Sequence, residues 1–344
     1  MRLKGDKIVN HTLNSRLERE SVWTGKSSTI TLCDQILTQN IQNDKIFIPT
    51  IENTFDVATS VRHEIPKAKQ ATKQSILEYT LEQWNSKVEQ LVMQGDFTKL
   101  LIEEKENITW KSIIYNIPKG VLSFALNSTT NTLPTPDNLR RWGKRVVSVC
   151  PLCSNQGTLE HILNFCSVAL TQGRYTWRHN TVLNHIANFI IQNKPPDLEV
   201  YCDISGLDLN GGTIPPDILV TQSRPDLVLL NRHEKIICLL ELTCSFERNS
   251  EAAFLRKSLR YAALKNDLED RGFKCLLVPF EVGSRGHIRR ATKSNIFNTF
   301  LTMKIAAKPF HCIKNMAKLS LLSSYTIFHA YTQPTWRDPP FLTT

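Results

Sequence analysis

The chain has 344 residues, 41% of them hydrophobic, which is ordinary for a globular protein with a real core and argues against disorder. Lys and Arg exceed Asp and Glu by 42 to 32, and the net charge of +10 favours a polyanionic partner, nucleic acid before a membrane surface; a basic protein without such a partner stays open. Nine cysteines without a disulfide framework, and no apolar run typical of a signal peptide or a membrane span, predict a nuclear or cytoplasmic, intracellular protein.

The first part of the chain is predicted to be an arm followed by helices. Residues 1–65 are polar and weakly periodic, and we interpret them as an N-terminal arm with some helix. Residues 66–138 form a helical, linker-like region. Within it, apolar residues at three- and four-residue steps predict one long helix that ends before Gly95 and buries its apolar side: Leu77, Leu81, Trp84, Val88 and Leu91. Further helices are predicted over 109–117 and 121–127, and a loop over the proline-containing stretch 132–139.

Residues 139–170 contain the segment CPLCSNQGTLEHILNFC, which predicts a small zinc knuckle. Cys150 and Cys153 have the two-residue spacing that lets two thiolates bind one tetrahedral zinc ion. His161 and Cys166 follow after a gap that holds the flexible Gly157, and both can face the knuckle if the last helical turn loosens or the helix ends near Asn164. Four such ligands leave no open position, so this zinc is expected to be structural. The alternative is three unrelated buried cysteines.

Basic residues precede the zinc motif in the stretch NLRRWGKR. They are expected to bind a nucleic-acid backbone: Arg140, Arg141, Lys144 and Arg145.

An α/β module is predicted over residues 197–310. A helical connector, residues 171–196, leads into it and ends at a Lys-Pro-Pro boundary. Four short apolar runs then predict strands, with a helix over 251–272 between the last two, and hence a mixed sheet with helices packed on it: LEVYCDI, RPDLVLL, KIICLLELT and FKCLLVPFEV. A last helix closes the module, and residues 311–344 are assigned to a C-terminal tail.

Two acidic residues are predicted to meet in this module. The runs RPDLVLL and KIICLLELT are joined by the polar turn NRHE, which is typical of an antiparallel hairpin. The hairpin brings Asp226 and Glu241 to the same end of the sheet, where two carboxylates are suited to a hard divalent cation. A solvated strand edge or a helix cap is the alternative.

The following helix adds basic and phenolic groups. Lys257 and Tyr261 lie four residues apart on one helical face, where the ammonium can stabilise negative charge and the hydroxyl can orient a phosphate. The residues expected to bind the nucleic-acid backbone here are Arg256, Arg260, Arg285, Arg289 and Arg290.

Five segments, in this order, carry a resemblance to a known family: the run from Phe124 to Cys166, then RPDLVLL, ELTCSFE, RKSLRYAAL and VPFEVGSRG. Over residues 110–310 the chain resembles the C-terminal part of the polyprotein of site-specific non-LTR retrotransposons that carry a restriction-like endonuclease. In that family a Cys-Cys-His-Cys zinc knuckle follows the reverse transcriptase and precedes an endonuclease of the PD-(D/E)xK type, which nicks target DNA. Nothing in residues 1–140 resembles the paired-aspartate turn of a polymerase; a truncated copy, a partial gene and a domesticated gene all stay open.

The resemblance implies a fold and a set of site residues. The fold is an α/β endonuclease module, a PD-(D/E)xK-like mixed sheet flanked by helices, preceded by a mainly helical region and the zinc knuckle. Zn²⁺ is then held by Cys150, Cys153, His161 and Cys166, and a catalytic Mg²⁺ or Mn²⁺ by Asp226 and Glu241. Thr243 stands where ordinary restriction enzymes have lysine, and Lys257 with Tyr261 matches the variant in which that lysine lies on the next helix.

The function expected from this resemblance is metal-dependent nicking of DNA. The implied partner is DNA, with RNA of the parent element as a second candidate, and no membrane or small-molecule cofactor. The alternative is a catalytically inactive nucleic-acid-binding remnant, or a polyprotein fragment.

Overall fold

The computed structural model describes residues 61–104, 109–204 and 214–342. The chain divides into two compact units, residues 1–90 and 91–344. In the first unit, helix α1 spans Val61–Gln90, which confirms the predicted long helix. Its apolar side chains at Leu77, Leu81 and Trp84 are exposed, in contrast to the buried face that we expected. Most of the predicted N-terminal arm, residues 1–60, lies outside the described residues.

The second unit begins with short helical segments. They are α2 (Asp96–Glu103), a 3-10 helix (Thr109–Asn116), α3 (Lys119–Thr129) and α4 (Pro136–Arg141). Helix α4 lies in the stretch that we expected to be a loop. Its start has a sequence signal, because Thr135 caps the helix by accepting a hydrogen bond from the Asn138 N–H and Pro136 occupies the first turn.

Two helices and a widened turn lead from the zinc motif to the sheet. A π-helical turn spans His161–Phe165, α5 spans Ser167–Thr171 and α6 spans Arg174–Asn193. Helix α6 is the predicted connector, and it ends where the Lys-Pro-Pro sequence begins. One side of α6 is buried against the sheet.

The sheet has four strands in the order β1-β2-β3-β4. Their bounds are β1 (Leu198–Cys202), β2 (Leu227–Asn231), β3 (Ile236–Ser245) and β4 (Lys274–Gly283). The first three strands are antiparallel neighbours, whereas β3 and β4 are parallel. This mixed sheet with flanking helices agrees with the predicted α/β architecture.

Helices cover both faces of the sheet. A 3-10 turn (Glu247–Asn249) and then α7 (Ser250–Arg260), α8 (Ala262–Asp270) and α9 (Arg290–Thr302) follow the strands in chain order. Side chains of α6 and α9 share one apolar core with the sheet, and α8 closes a second core on the other face. The sequence predicts one helix over 251–272, whereas the structure has two, α7 and α8, divided at Tyr261. The ring of Tyr261 is buried in the second core.

The C-terminal residues differ from the expected tail. Helix α10 spans Pro309–His329, and its apolar side is buried in the core beside α6. The segment after it is fastened as well, since the Trp177 indole N–H donates to the Pro339 carbonyl at 2.7 Å and the Arg174 guanidinium donates to the Ala330 carbonyl at 2.6 Å. Apolar residues at helical spacing were the sequence signal: Ile313, Met316, Ala317 and Leu321.

Long apolar helices are the usual membrane spans. Among the residues that the structure describes, none of the helices has both the length and the apolar character to cross a membrane.

Candidate functional site

The four predicted zinc ligands meet at one point. The ligand atoms of Cys150, Cys153, His161 and Cys166 all lie within 4.8 Å of one another. The sulfur atoms of Cys150 and Cys166 are 3.9 Å apart, and the Cys153 sulfur is 3.1 Å from His161 Nε2. Thiolates on one tetrahedral zinc, with Zn–S bonds of about 2.3 Å, lie about 3.8 Å apart. The donor set and its spacing therefore suit a structural zinc ion.

The first two ligands sit in a tight turn. The Cys150 N–H donates to the Asn155 carbonyl at 2.6 Å, and the Ser154 N–H donates back to the Cys150 carbonyl at 3.0 Å. Ser154 has a φ of +63°, the left-handed conformation that reverses the chain. The backbone itself thus aims both sulfur atoms at one point.

Gly157 has a packing role where we expected flexibility. A Cβ atom at this position would lie 2.7 Å from Pro136 Cγ, which is too close for any side chain. Because glycine has no Cβ atom, the loop after the knuckle can lie directly on the start of α4. The Gln156 side chain also donates to Asp137 on α4 at 2.9 Å.

The second pair of ligands depends on the π-helical turn. In such a turn residues five apart lie on one side, and His161 and Cys166 are separated in this way. The Tyr175 hydroxyl holds the turn open, because it accepts the Cys166 N–H at 3.0 Å and lies 2.9 Å from the Ile162 carbonyl to which it donates. The loosened turn that the sequence required is therefore fixed by a tyrosine from α6.

Burial affects the protonation of these ligands. Burial raises the pKa of the Cys166 thiol to about 11 and lowers the pKa of His161. The imidazole is therefore neutral at physiological pH, as a ligand must be. A bound zinc ion would favour the thiolate forms.

Comparison with known proteins agrees with this site. Residues 94–172 match the family described as zinc-binding in reverse transcriptase. The match covers less than a quarter of the chain. It begins well before the knuckle, so it includes α2, α3 and the first half of α4, which lie in the predicted linker-like region. No curated protein matches the chain. The chain therefore contains a zinc-binding domain of the kind found in reverse transcriptases, with a Cys3His zinc site.

The two predicted acidic residues also meet. In the β2–β3 hairpin Leu227 pairs with Leu240, so Asp226 and Glu241 are the next residues toward the same end. The Asp226 N–H donates to Glu241 Oε2 at 3.0 Å, and the Leu242 N–H donates to Asp226 Oδ2 at 2.7 Å. The backbone of each strand thus holds the carboxylate of the other.

Lys257 completes a cluster with these acids. Its ammonium, on α7, makes an ion pair with Glu241 Oε1. Tyr261 lies close to the cluster, but its hydroxyl donates to the Arg224 carbonyl at 3.2 Å. We call Asp226, Glu241 and Lys257 the carboxylate cluster.

Glu241 is the most buried member of the carboxylate cluster, with 2% of its surface exposed. Burial raises the pKa of Glu241, and the negative charge of Asp226 raises it further, while Lys257 opposes both effects. A second cation beside the two carboxylates would favour their ionised forms.

His179 is a member of this neighbourhood that sequence analysis missed. From α6, its Nε2 atom lies 3.2 Å from Asp226 Oδ2, and its Nδ1 atom lies 3.0 Å from Asn180 Oδ1. Burial lowers the pKa of His179, but the hydrogen bond and charge of Asp226 outweigh burial and raise it. His185, on the same helix, has no such partner among the described residues, and burial lowers its pKa to about 4. His179 lies 47 residues before Asp226 in the sequence, so no local pattern predicted their contact.

The three predicted arginines after β4 lie in three different environments, and only Arg285 is buried. Arg285 is buried, paired with Glu247 at 2.7 Å and stacked between Phe97 and Phe246. These contacts place the guanidinium of Arg285 in the interior, so the prediction that Arg285 contacts nucleic acid is corrected. Arg289 pairs with Glu104 at 2.6 Å and is partly exposed, and Arg290 is exposed.

The other predicted cations lie at the surface. Arg256 and Arg260 are exposed on α7. Beside the zinc site, the exposed residues are Arg140, Arg141 and Lys144, and Arg145 is partly exposed. The Lys144 ammonium lies 5.9 Å from the ring of Trp142, which is 46% exposed.

Proposed function

We propose that this chain is a metal-dependent DNA endonuclease module derived from a non-LTR retrotransposon, with the zinc-binding domain helping to engage nucleic acid. The observation that carries the proposal is the contact of Asp226, Glu241 and Lys257 at one end of a buried hairpin. Two carboxylates on a mixed sheet with a lysine beside them are the group that PD-(D/E)xK nucleases use, and the sequence resemblance implies the variant in which that lysine lies on the next helix. The reverse-transcriptase type of the zinc-binding domain supports the origin in a retroelement.

The carboxylate cluster suits Mg²⁺ or Mn²⁺. Magnesium is commonly bound by one or two protein carboxylates, with water and substrate phosphate completing its shell. Asp226 and Glu241 would hold the ion, and the raised pKa of Glu241 marks a place where an added cation is favoured. When bound, the ion would supply Lewis-acid stabilisation of a phosphodiester and activation of water.

The remaining roles belong to side chains near the carboxylates. Lys257 carries the positive charge that stabilises charge developing on the scissile phosphate. Its pairing with Glu241 places it at the cluster before substrate binds. Tyr261 has a buried ring and a hydroxyl bonded to the Arg224 carbonyl, so its contribution is to fix the loop that precedes Asp226.

Binding of nucleic acid is assigned to exposed cations. Arg256, Arg260 and Arg290 lie on the nuclease part, and Arg140, Arg141 and Lys144 lie beside the zinc site with Arg145. Trp142 lies between Arg141 and Lys144 in the sequence, and its exposed ring offers a stacking surface for a base, an interaction of about 1–3 kcal/mol. No acidic residue occurs from 138 to 159, which favours a polyanion on this surface.

The proposal is tested by nicking of a supercoiled plasmid. Zinc-loaded protein is incubated with plasmid and Mg²⁺, and conversion to the open circle is followed on an agarose gel. We expect nicking by the native chain and none by Asp226→Asn. The matched control is Asp217→Asn, an exposed acid paired with Arg232, which is expected to nick normally. Equal nicking by both variants, or none by the native chain, would contradict the endonuclease and leave a nucleic-acid-binding remnant.

A further inference from the structure

His179 reaches the carboxylate cluster from outside the hairpin. Its Nε2 atom is 3.2 Å from Asp226 Oδ2, the same oxygen that accepts the Leu242 N–H at 2.7 Å. Two donors therefore converge on one carboxylate oxygen. Within the described residues no hydrogen bond uses Asp226 Oδ1, so this oxygen is the one left for a ligand.

The imidazole is held in place by its own helix. Its Nδ1 atom lies 3.0 Å from Asn180 Oδ1, so both ring nitrogens are engaged by neighbouring oxygens. The preceding residue, Arg178, is buried and donates to the Cys244 carbonyl at 3.0 Å and to Ser324 Oγ at 3.0 Å. The first bond fastens α6 to β3, the strand that carries Glu241, and the second fastens α6 to α10.

We propose that His179 is a positioning residue for Asp226: its Nε2–H donates to Oδ2 and turns Oδ1 toward the divalent cation. This inference rests on the proposed function in one respect, that Asp226 binds a metal ion. Carboxylate ligands of metals are themselves commonly hydrogen-bonded, and loss of such an outer partner typically weakens metal binding about 10- to 100-fold. His179 is the side chain outside the hairpin that makes this contact in the described structure.

A structural role alone would not produce the same effect. If His179 only filled space, its loss would lower stability and leave the affinity of the folded protein for metal unchanged. If it positions Asp226, a side chain that keeps a donor near the position of Nε2 should preserve affinity. Glutamine reaches a similar distance from the backbone and carries such a donor in its amide.

The test is a Mn²⁺ titration followed by electron paramagnetic resonance on zinc-loaded protein. The variants are His179→Ala, His179→Gln, Asp226→Asn and the control His185→Ala. His185 lies on the same helix, and its buried Nε2 atom has no hydrogen-bond partner in the part of the chain that the structure describes. We expect one Mn²⁺ site in the native chain, its loss in Asp226→Asn, and an affinity about 10- to 100-fold weaker in His179→Ala. His179→Gln and His185→Ala should bind Mn²⁺ nearly as the native chain does.

Several results would overturn the inference. They are native affinity in His179→Ala, affinity in His179→Gln as weak as in His179→Ala, and absence of a Mn²⁺ site in the native chain. Circular dichroism of each variant identifies one that fails to fold, and the glutamine variant then decides. Should Mn²⁺ binding follow the expected pattern while plasmid nicking is absent, the endonuclease proposal fails and the role of His179 stands.

Discussion

The side-chain amide of Asn164 donates a hydrogen bond of 2.9 Å to the backbone carbonyl of Cys244. Asn164 lies in the π-helical turn between two zinc ligands, and Cys244 lies three residues after Glu241 on β3. A second link joins the same regions, since Arg248 and Asn249 both contact Glu160, the residue before His161. The zinc site is thus attached to the strand that carries the carboxylate cluster.

The first prediction concerns this link. Asn164→Ala should lower the free energy of unfolding by about 1 kcal/mol, because a partly buried hydrogen bond to the Cys244 carbonyl is lost. The control is Asn188→Ala, whose amide in the described part of the chain bonds within its own helix, to Asn184. Urea unfolding curves of both variants measure the difference. Equal stability of the two variants would show that the link contributes nothing.

The second prediction concerns zinc. Purified protein should contain about one zinc ion per chain, because four ligands converge and zinc binding is worth about 10–16 kcal/mol in structural sites. Elemental analysis after dialysis against a chelator should find zinc in the native chain and in Cys202→Ser, a buried cysteine outside the cluster. Cys153→Ser should have lost it. Zinc retained by Cys153→Ser would remove this cysteine from the ligand set.

The third prediction separates the two arginines that the sequence placed together. Arg285→Met should lower the free energy of unfolding by about 3–5 kcal/mol, because it leaves the buried Glu247 without its partner. Arg290→Met, at the surface, should change it by no more than about 0.5 kcal/mol. Thermal unfolding of both variants tests this. If Arg285→Met unfolds like the native chain but binds DNA more weakly, Arg285 is a nucleic-acid contact, as the sequence predicted.

The fourth prediction concerns pH. Burial raises the pKa of Glu281 above its ordinary value of 4.5, and its Oε1 atom is buried without a hydrogen-bond partner in the described structure. The folded protein therefore holds this proton more tightly than the unfolded chain does. The contribution of Glu281 to stability is fully present below the pKa that this group has in the unfolded chain. It is lost as pH rises through the pKa of Glu281 in the folded protein.

Glu281→Gln cannot ionise, so it should gain stability relative to the native chain as pH rises from about 4 to about 7. Urea unfolding at several pH values gives the difference between the two proteins. A constant difference would mean that Glu281 titrates alike in both states.

Local patterns were enough to predict the hairpin and the zinc ligands. The short polar turn NRHE between two apolar runs determines which residues of β2 and β3 face each other, so the meeting of Asp226 and Glu241 followed from the turn. Likewise, the spacing of Cys150, Cys153, His161 and Cys166 is itself the sequence signal of a zinc site.

Long-range packing decided the features that were missed. Arg285 lies between two glycines in a segment that resembles an exposed loop, and it is buried by contacts with residues distant in sequence, among them Glu247 and Phe97. His179 has no local signal, because its partner Asp226 comes from another element. The buried helix α10 is a different case, since its apolar residues recur at helical spacing and therefore carry a local signal of a helix within the predicted tail.

Cleavage of an end-labelled DNA duplex by the native chain and by Glu241→Gln tests the endonuclease most directly. Glu234→Gln, at the hairpin turn and paired with Lys304, is the matched control. We predict Mg²⁺-dependent strand cleavage by the native chain and the control, and none by Glu241→Gln, with equal zinc content in all three. Cleavage that persists in Glu241→Gln, or that is absent from the zinc-loaded native chain, would contradict the endonuclease assignment.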